Sequence, residues 1–163
     1  MTPLSIAPLV AGQVSGLAAL AQQSWLAAFT EGLTESDIRA ALAQRDQSYF
    51  EAVIDVHHIW LAVVANDIAG FIECQLQDEE VLIDKLYVAE RFQGQGIGKA
   101  LLAHALNAKV LMNKAAELDV WVDNPRAIAL YQSFGFKKIG ERPFVSSSGE
   151  ALSPDWIMRR DCI

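Results

Sequence analysis

Between Leu86 and Leu102 the chain passes from a strand-like apolar run through three glycines into a helical repeat, and this transition restricts the fold more than any other feature. The stretch reads Leu-Tyr-Val-Ala-Glu-Arg-Phe-Gln-Gly-Gln-Gly-Ile-Gly-Lys-Ala-Leu-Leu. Glycines at 94, 96 and 98 permit turn conformations closed to other residues and let a ligand approach the backbone. The helix that follows has unpaired amides in its first turn and the positive end of its dipole, an arrangement suited to a pyrophosphate. Two familiar phosphate motifs fail on spacing. A P-loop needs Gly where Gln93 stands and Ser or Thr where Ala100 stands, and the dinucleotide fingerprint needs Gly at Lys99. A tight turn with no ligand is the competing reading of the same glycines.

Charge narrows the partner. Thirteen Lys and Arg against twenty Asp and Glu give a net charge of -7, which argues against nucleic acid, whose binding rests on clustered cations. An acidic field attracts cationic small molecules, although net charge speaks first to solubility. Cys74 and Cys162 lack the spacing of a metal site or disulfide framework, so no metal and a reducing cytoplasm are expected. The first basic residue is Arg39, so the N-terminal stretch lacks the basic start of a signal peptide. Gln13, Ser15, Gln22 and Gln23 interrupt its apolar run, and no membrane association is expected. The length suits one domain, residues 1–163.

Periodicity supplies the rest of the outline. A short strand near Leu4 to Leu9 precedes a helix from about 11 to 30, with Val14, Leu17, Ala21, Trp25 and Phe29 on one face. Thr34 and Asp37 form a capping signature for a second helix to about Ala43. A third helical piece is expected between Ser48 and His58. From Ile59 the period becomes two, with a hairpin of Trp60 to Ala65 and Ile68 to Leu76 turning at Asn66-Asp67 and a further strand from Val81 to Val88. A helix from Gly96 to Leu111, a strand at Leu118 to Val122, and a helix opened by Asn124-Pro125 and closed by Gly135 follow. Strands at Phe136 to Phe144 and Asp155 to Arg160 complete an α/β (α+β) order.

Gln93-Gly-Gln-Gly96-Ile-Gly98 resembles the Q/R-x-x-G-x-G/A signature of the GNAT superfamily of N-acetyltransferases. Downstream, Trp121-Val-Asp-Asn-Pro-Arg-Ala-Ile-Ala-Leu-Tyr-Gln-Ser-Phe-Gly-Phe136 is similar to that family's second cofactor segment. The two motifs stand in order and at the family's separation, and the resemblance covers about Trp60 to Arg160. It implies the GNAT fold: a mixed central sheet of about six to seven strands flanked by helices, with an N-terminal helical segment.

The same resemblance implies acetyl-CoA as co-substrate and direct attack of a primary amine on the thioester. Leu86, Tyr87 and Val88 are then expected to meet the acetyl and pantetheine arm, and Gln93, Gly94, Gln95, Gly96, Ile97, Gly98 and Lys99 to hold the pyrophosphate. Asn124 and Ala127 fall further along the arm. Tyr131 matches the residue that protonates the departing thiolate, a role a phenol in a dry tunnel can fill; an amphipathic core position is its competing reading. Asp84, placed on the face of Val88 by strand alternation, and Glu73 on the neighbouring strand are the candidate bases. Both have the competing reading of a surface or substrate-binding carboxylate.

Cys74 should point to the opposite face from Glu73, into the core. His57 and His58 read as surface residues. Trp25, Phe29, Glu31 and Asp155 are the candidate acceptor-site residues, with core packing the alternative for the aromatic pair. Loose similarity of the front segment and the Phe144 to Met158 tail to bacterial diamine and polyamine acetyltransferases implies a polyamine acceptor. A protein or peptide amine is the alternative, and the family's frequent dimers admit a homodimer. A non-catalytic acyl-CoA-binding module and a nucleotide-dependent oxidoreductase are the competing classes.

Overall fold

The computed structural model describes residues 2–162. The chain opens with strand β1 (Leu4–Pro8) and, after a 3-10 turn, helix α1 (Val14–Ala28), which buries Val14, Leu17, Ala18, Leu20, Ala21 and Trp25. Helix α2 (Glu35–Ala43) begins with the expected reciprocal cap: Asp37 N donates to Thr34 Oγ1 at 3.1 Å, and Thr34 N donates to Asp37 Oδ2 at 3.0 Å. Such a cap is worth about 1 kcal/mol. Helix α3 (Gln47–Val53) starts on Asp46, whose Oδ1 accepts from Tyr49 N at 2.8 Å.

Strands β2 (His58–Val64), β3 (Asp67–Gln77) and β4 (Glu80–Val88) form an antiparallel meander. Its first turn lies at Ala65-Asn66, one residue before the expected Asn66-Asp67. Both turn residues have positive φ, 50° and 67°, the backbone a two-residue hairpin of matching twist requires, and Asp67 is thereby released to begin β3. Helix α4 (Ile97–Asn107) stops four residues short of Leu111 because the chain turns at Ala108. Strand β5 (Ala116–Trp121), helix α5 (Pro125–Ser133) and strands β6 (Lys137–Val145) and β7 (Ala151–Arg160) follow, β7 starting four residues earlier than expected.

All seven strands join one sheet in the order β1-β2-β3-β4-β5-β7-β6, the mixed sheet the motifs implied. Among the described residues only β4 and β5 run parallel, with α4 as their crossover. Two apolar clusters cover the two faces. Ile72, Cys74, Ile83, Leu101, Leu118 and Met158 pack on the α4 side, and Leu17, Ala21, Phe50, Leu61 and Phe71 on the α1–α3 side.

Two departures from regularity create an opening. The β4–β5 ladder pairs only Val81 to Ile83 with Ala116 to Leu118. Beyond it the edges Asp84–Val88 and Asp119–Trp121 face one another without pairing, while each stays bonded on its outer side, to β3 and to β7. Glu73 pairs with Lys85 but Cys74 pairs with Ile83, so Asp84 is an extra residue, a β-bulge. Among the described residues no helix is long and apolar enough to cross a membrane.

Candidate active site

On the α4–α5 side, the opening continues into a groove of about 310 Å³. Leu86 and Val88 of β4, the loop from Phe92 to Lys99, and Asn124, Arg126, Ala127 and Leu130 of α5 line it. Gly94 and Gly96 both have φ of 78°, the left-handed region that favours glycine. Gly98 lies where a Cβ would stand 3.6 Å from Leu130 and 3.7 Å from Val88, so a side chain there would begin to fill the groove. The α4 amides open onto this loop, and Gly96, its N-cap, supplies no capping side chain. Unpaired amides, a helix dipole and the cations Lys99 and Arg126 fit a pyrophosphate, and apolar Leu86, Val88, Ala127 and Leu130 fit a slender chain beside it.

Ten of the residues expected to hold the cofactor line this groove, and three do not. Gln95 turns away, its Nε2 donating to Arg91 O at 3.4 Å. Tyr87 sits on the other face of the sheet, against Phe71, at 5.5 Å between ring centroids. Tyr131 lies behind the groove wall, 7% exposed, in edge contact with Phe136. Burial, then the nearby Tyr87 and Cys74, raise its pKa above the ordinary phenol value, so the phenol stays protonated at neutral pH. Asn124 has a second task, accepting from Ala127 N at 3.2 Å as the cap of α5. Phe92, Arg126 and Leu130 join unannounced, although Arg126 stands within the Asn-Pro-Arg-Ala run of the second motif.

The opposite, α1–α3 side holds a polar cluster. Glu73 is fully buried, with Lys85 Nζ donating to its Oε2 at 3.0 Å, Tyr49 OH to its Oε1 at 2.6 Å, and His57 Nδ1 2.7 Å from the same Oε1. Lys85 also donates to Asp84 Oδ2 at 2.7 Å and to Tyr49 OH at 3.1 Å. Burial first, then the bond to Glu73, raise the Tyr49 pKa.

Three expectations change here. Asp84 does not share the face of Val88: the bulge reverses the alternation, so Leu86 and Val88 pack under α4 while Asp84 joins Lys85 and Tyr49 on the far side. Glu73 has no free oxygen at the surface, because three side chains saturate it. His57 and His58 are part-buried and not freely solvated; His57 is held by Glu73, and the His58 ring stacks on Trp60 at 6.1 Å, its pKa lowered by burial and then by His57. Cys74 is buried as the register predicts, and burial followed by Glu73 and Asp84 pushes its thiol up to about 12, which keeps it unreactive.

The expected acceptor residues divide. Trp25 stacks on Phe29 at 6.0 Å, and Phe29 meets Trp121 of β5 at 5.3 Å, so the aromatic pair reaches the rim of the opening. Asp155 is the register partner of Trp121 and half-buried, its pKa raised by burial and by Asp119 against the opposing Arg142. Glu31 is exposed on a turn after α1 and joins none of these contacts. Tyr49, Lys85 and the long-range contacts of His57 left no local signal, because the groups that meet are up to 36 residues apart.

The Acetyltransferase (GNAT) family model matches residues 19–136. Spermine/spermidine N(1)-acetyltransferase of Bacillus subtilis is 38% identical over 66 residues, covering 39% of this chain and 43% of that protein. N-acetylaspartate synthetase of Danio rerio is 29% identical over 98 residues, covering 58% of this chain and 35% of that protein. The matched stretch is thus less than half the length of either relative. The crystal structure of PaiA N-acetyltransferase from Thermoplasma acidophilum, solved with coenzyme A, superposes with a TM-score of 0.75 at 18% identity, covering 98% of this chain and 99% of that one. This last likeness is one of fold.

Proposed function

The chain belongs to the GNAT acetyltransferase family, and from that premise we propose that it transfers the acetyl group of acetyl-CoA to a primary amine in a single direct step. The observation that carries the reading is the opening between β4 and β5, entered on one face by a phosphate-suited groove and on the other by ionisable side chains. The glycine loop, Lys99 and Arg126 hold the pyrophosphate, and the free edge of β4 from Asp84 to Val88 offers its backbone groups to the arm that carries the thioester. Asp84, the one carboxylate of the polar cluster whose side chain reaches solvent, at 32% exposed, takes a proton from the ammonium form of the acceptor.

The freed nitrogen forms the new C–N bond as the C–S bond breaks, the sulfur leaves with the proton of Tyr131, and the second proton the nitrogen sheds on becoming an amide returns that phenolate to the phenol. The raised pKa of Tyr131 keeps the phenol protonated at neutral pH, so a proton is in place to be given. Glu73, buried beneath Lys85, positions that pair and touches no substrate. Release of free thiol from acetyl-CoA, measured across a panel of amines, tests the reading. Tyr131→Phe is expected to lower kcat by roughly 100-fold with acetyl-CoA affinity retained. An unchanged rate would remove Tyr131 from the chemistry, and tight acetyl-CoA binding without turnover of any amine would leave a binding module.

A polyamine or diamine acceptor is the finer reading, supported by the similarity to the Bacillus enzyme and by the net charge of -7. The similarity to N-acetylaspartate synthetase supports an acceptor that is itself an acid.

A further inference from the structure

On the acceptor side most of the acids that meet the opening are already paired with a cation, and Arg45 is not paired with an acid among the described residues. Asp84 and Glu73 are paired with Lys85, Asp119 with Arg142, and Glu31 lies outside the contacts of the opening. Asp155 is half-buried and forms no ion pair among the described residues; burial first, then Asp119, raise its pKa. A polycation entering here would find few free carboxylates.

Arg45 presents the reverse case. It follows α2 and is partly buried, with its guanidinium 5.5 Å from the ring centroid of Trp25 and 6.0 Å from that of Tyr87. Nε donates to Tyr87 OH at 3.1 Å and Nη1 to Ala41 O at 2.8 Å. These contacts fix the plane of the fork and leave three of its five N–H groups uncommitted. Among the described residues no carboxylate forms an ion pair with it.

Its location ties the free fork to the reaction. Tyr87 lies on the unpaired edge of β4 two residues after Lys85, on the same face as that lysine. Trp25, which carries the other side of the guanidinium, leads through Phe29 to Trp121 on the facing strand. Arg45 therefore sits on the acceptor face of the opening, preorganised between two aromatic rings. A rigid, unpaired guanidinium selects a carboxylate, which it can bind with two parallel hydrogen bonds.

We propose that the acceptor is a small primary amine bearing a carboxylate, with Arg45 as the residue that binds the carboxylate while Asp84 faces the amine. The proposal rests on the acetyl-transfer reading and narrows its substrate class. Trp25, Phe29 and Trp121 then flank the carbon chain between the two charged ends. Arg45 acts on specificity and not on the reacting atoms.

The test uses acceptor pairs that differ only by the carboxylate: 2,4-diaminobutyrate against 1,3-diaminopropane, ornithine against putrescine, and lysine against cadaverine. Thiol release is measured for the wild type, Arg45→Met and Arg45→Lys. The wild type should favour the carboxylate member of at least one pair by roughly 10–100-fold in kcat/KM. Arg45→Met should erase that preference by raising KM for the carboxylate member, with a far smaller change for its partner, and Arg45→Lys should restore part of it. The wild-type preference alone decides the matter if a variant fails to fold. Turnover confined to the carboxylate-free amines, or an equal loss on both members in Arg45→Met, overturns the Arg45 assignment and leaves acetyl transfer standing. Absence of turnover with every amine overturns both.

Discussion

The two faces of the β4–β5 opening are built of different materials. The groove side is made of backbone and apolar surface: glycines at positive φ, the first amides of α4, and the small or aliphatic residues Ala127, Leu130, Leu86 and Val88. The acceptor side is made of side chains brought from α1, α3, β3, β4 and β5, with a fully buried Glu73 at its base. Backbone recognition is nearly indifferent to charge within the fold, whereas a buried ion is tolerated only while every partner is present. The faces should accordingly fail in different ways.

The largest effect is expected where the difference is greatest. Glu73→Ala leaves Lys85 buried with Asp84 as its one acidic partner and deprives Tyr49 and His57 of theirs, so unfolding in urea should show a loss of about 3–5 kcal/mol. Asn124→Ala, which removes a cap on the groove side, should cost only about 1 kcal/mol. Equal losses would mean that the polar cluster carries no special share of the stability, and the contrast between the faces would collapse.

Catalysis comes next. Asp84→Asn keeps the size and most hydrogen bonds of the bulge residue but cannot accept a proton. It should reduce kcat by roughly 100-fold while acetyl-CoA binding, which belongs to the other face, is unchanged. A parallel loss of acetyl-CoA affinity would show that the two sides are coupled through β4 and are not separate devices.

The same contrast explains what the amino-acid order could reveal. The groove side lies in two short runs, 86–99 and 124–131, and each announces itself by glycine spacing, an Asn-Pro cap and helical periodicity, so ten of the groove-lining residues were legible in advance. Alternation by itself places Tyr87 opposite Leu86 and Val88, but it does not reveal a bulge: one extra residue at Asp84 moves the two halves of β4 out of phase. Asp84 was assigned to the wrong face for that reason. On the acceptor side, Lys85 meets Tyr49 across 36 residues and Arg45 meets Tyr87 across 42, separations that no local pattern encodes. His57 and His58 read as solvated because their partners lie on another strand and in a neighbouring ring. The succession of elements along the chain followed from periodicity, but the turn at Ala65-Asn66 did not, since Ala rarely adopts the positive φ it has here.

Gly96→Val examines the groove side by its own rule. A Cβ at this position meets nothing within 4 Å, so the substitution acts through the backbone and not through a clash. A β-branched residue at φ 78° is strained by about 1–3 kcal/mol, and relaxation of the loop turns the first amides of α4 away from the phosphate. The dissociation constant for acetyl-CoA, measured by titration calorimetry, should rise about tenfold. The KM of the acceptor should hold, and a matching rise in it would contradict the division of labour.

The smallest effect concerns the edge of the acceptor wall. Asp37 caps α2 and, with both carboxylate oxygens 3.1 Å from Ser147 N, also ties that helix to the β6–β7 turn, where Thr34 Oγ1 lies 2.6 Å from Ser147 Oγ. The Thr34 amide is the main cause that lowers its pKa, with Ser147 adding to it and burial opposing. A folded pKa below the unfolded value means that the ionised carboxylate contributes stability at all pH above the ordinary aspartate value of about 3.9. That contribution fades as the pH falls from there through the folded pKa. Thermal melts of wild type and Asp37→Asn should therefore differ at neutral pH, begin to approach one another below about pH 4, and converge once the pH has fallen through the lowered folded pKa, where both side chains are uncharged. Among the described residues no carboxylate lines the groove, so of the two faces it is the acceptor side that carries this acid-sensitive tie. A difference in melting temperature that persists undiminished into acid would show that Asp37 acts by the shape of its hydrogen bonds and not by its charge.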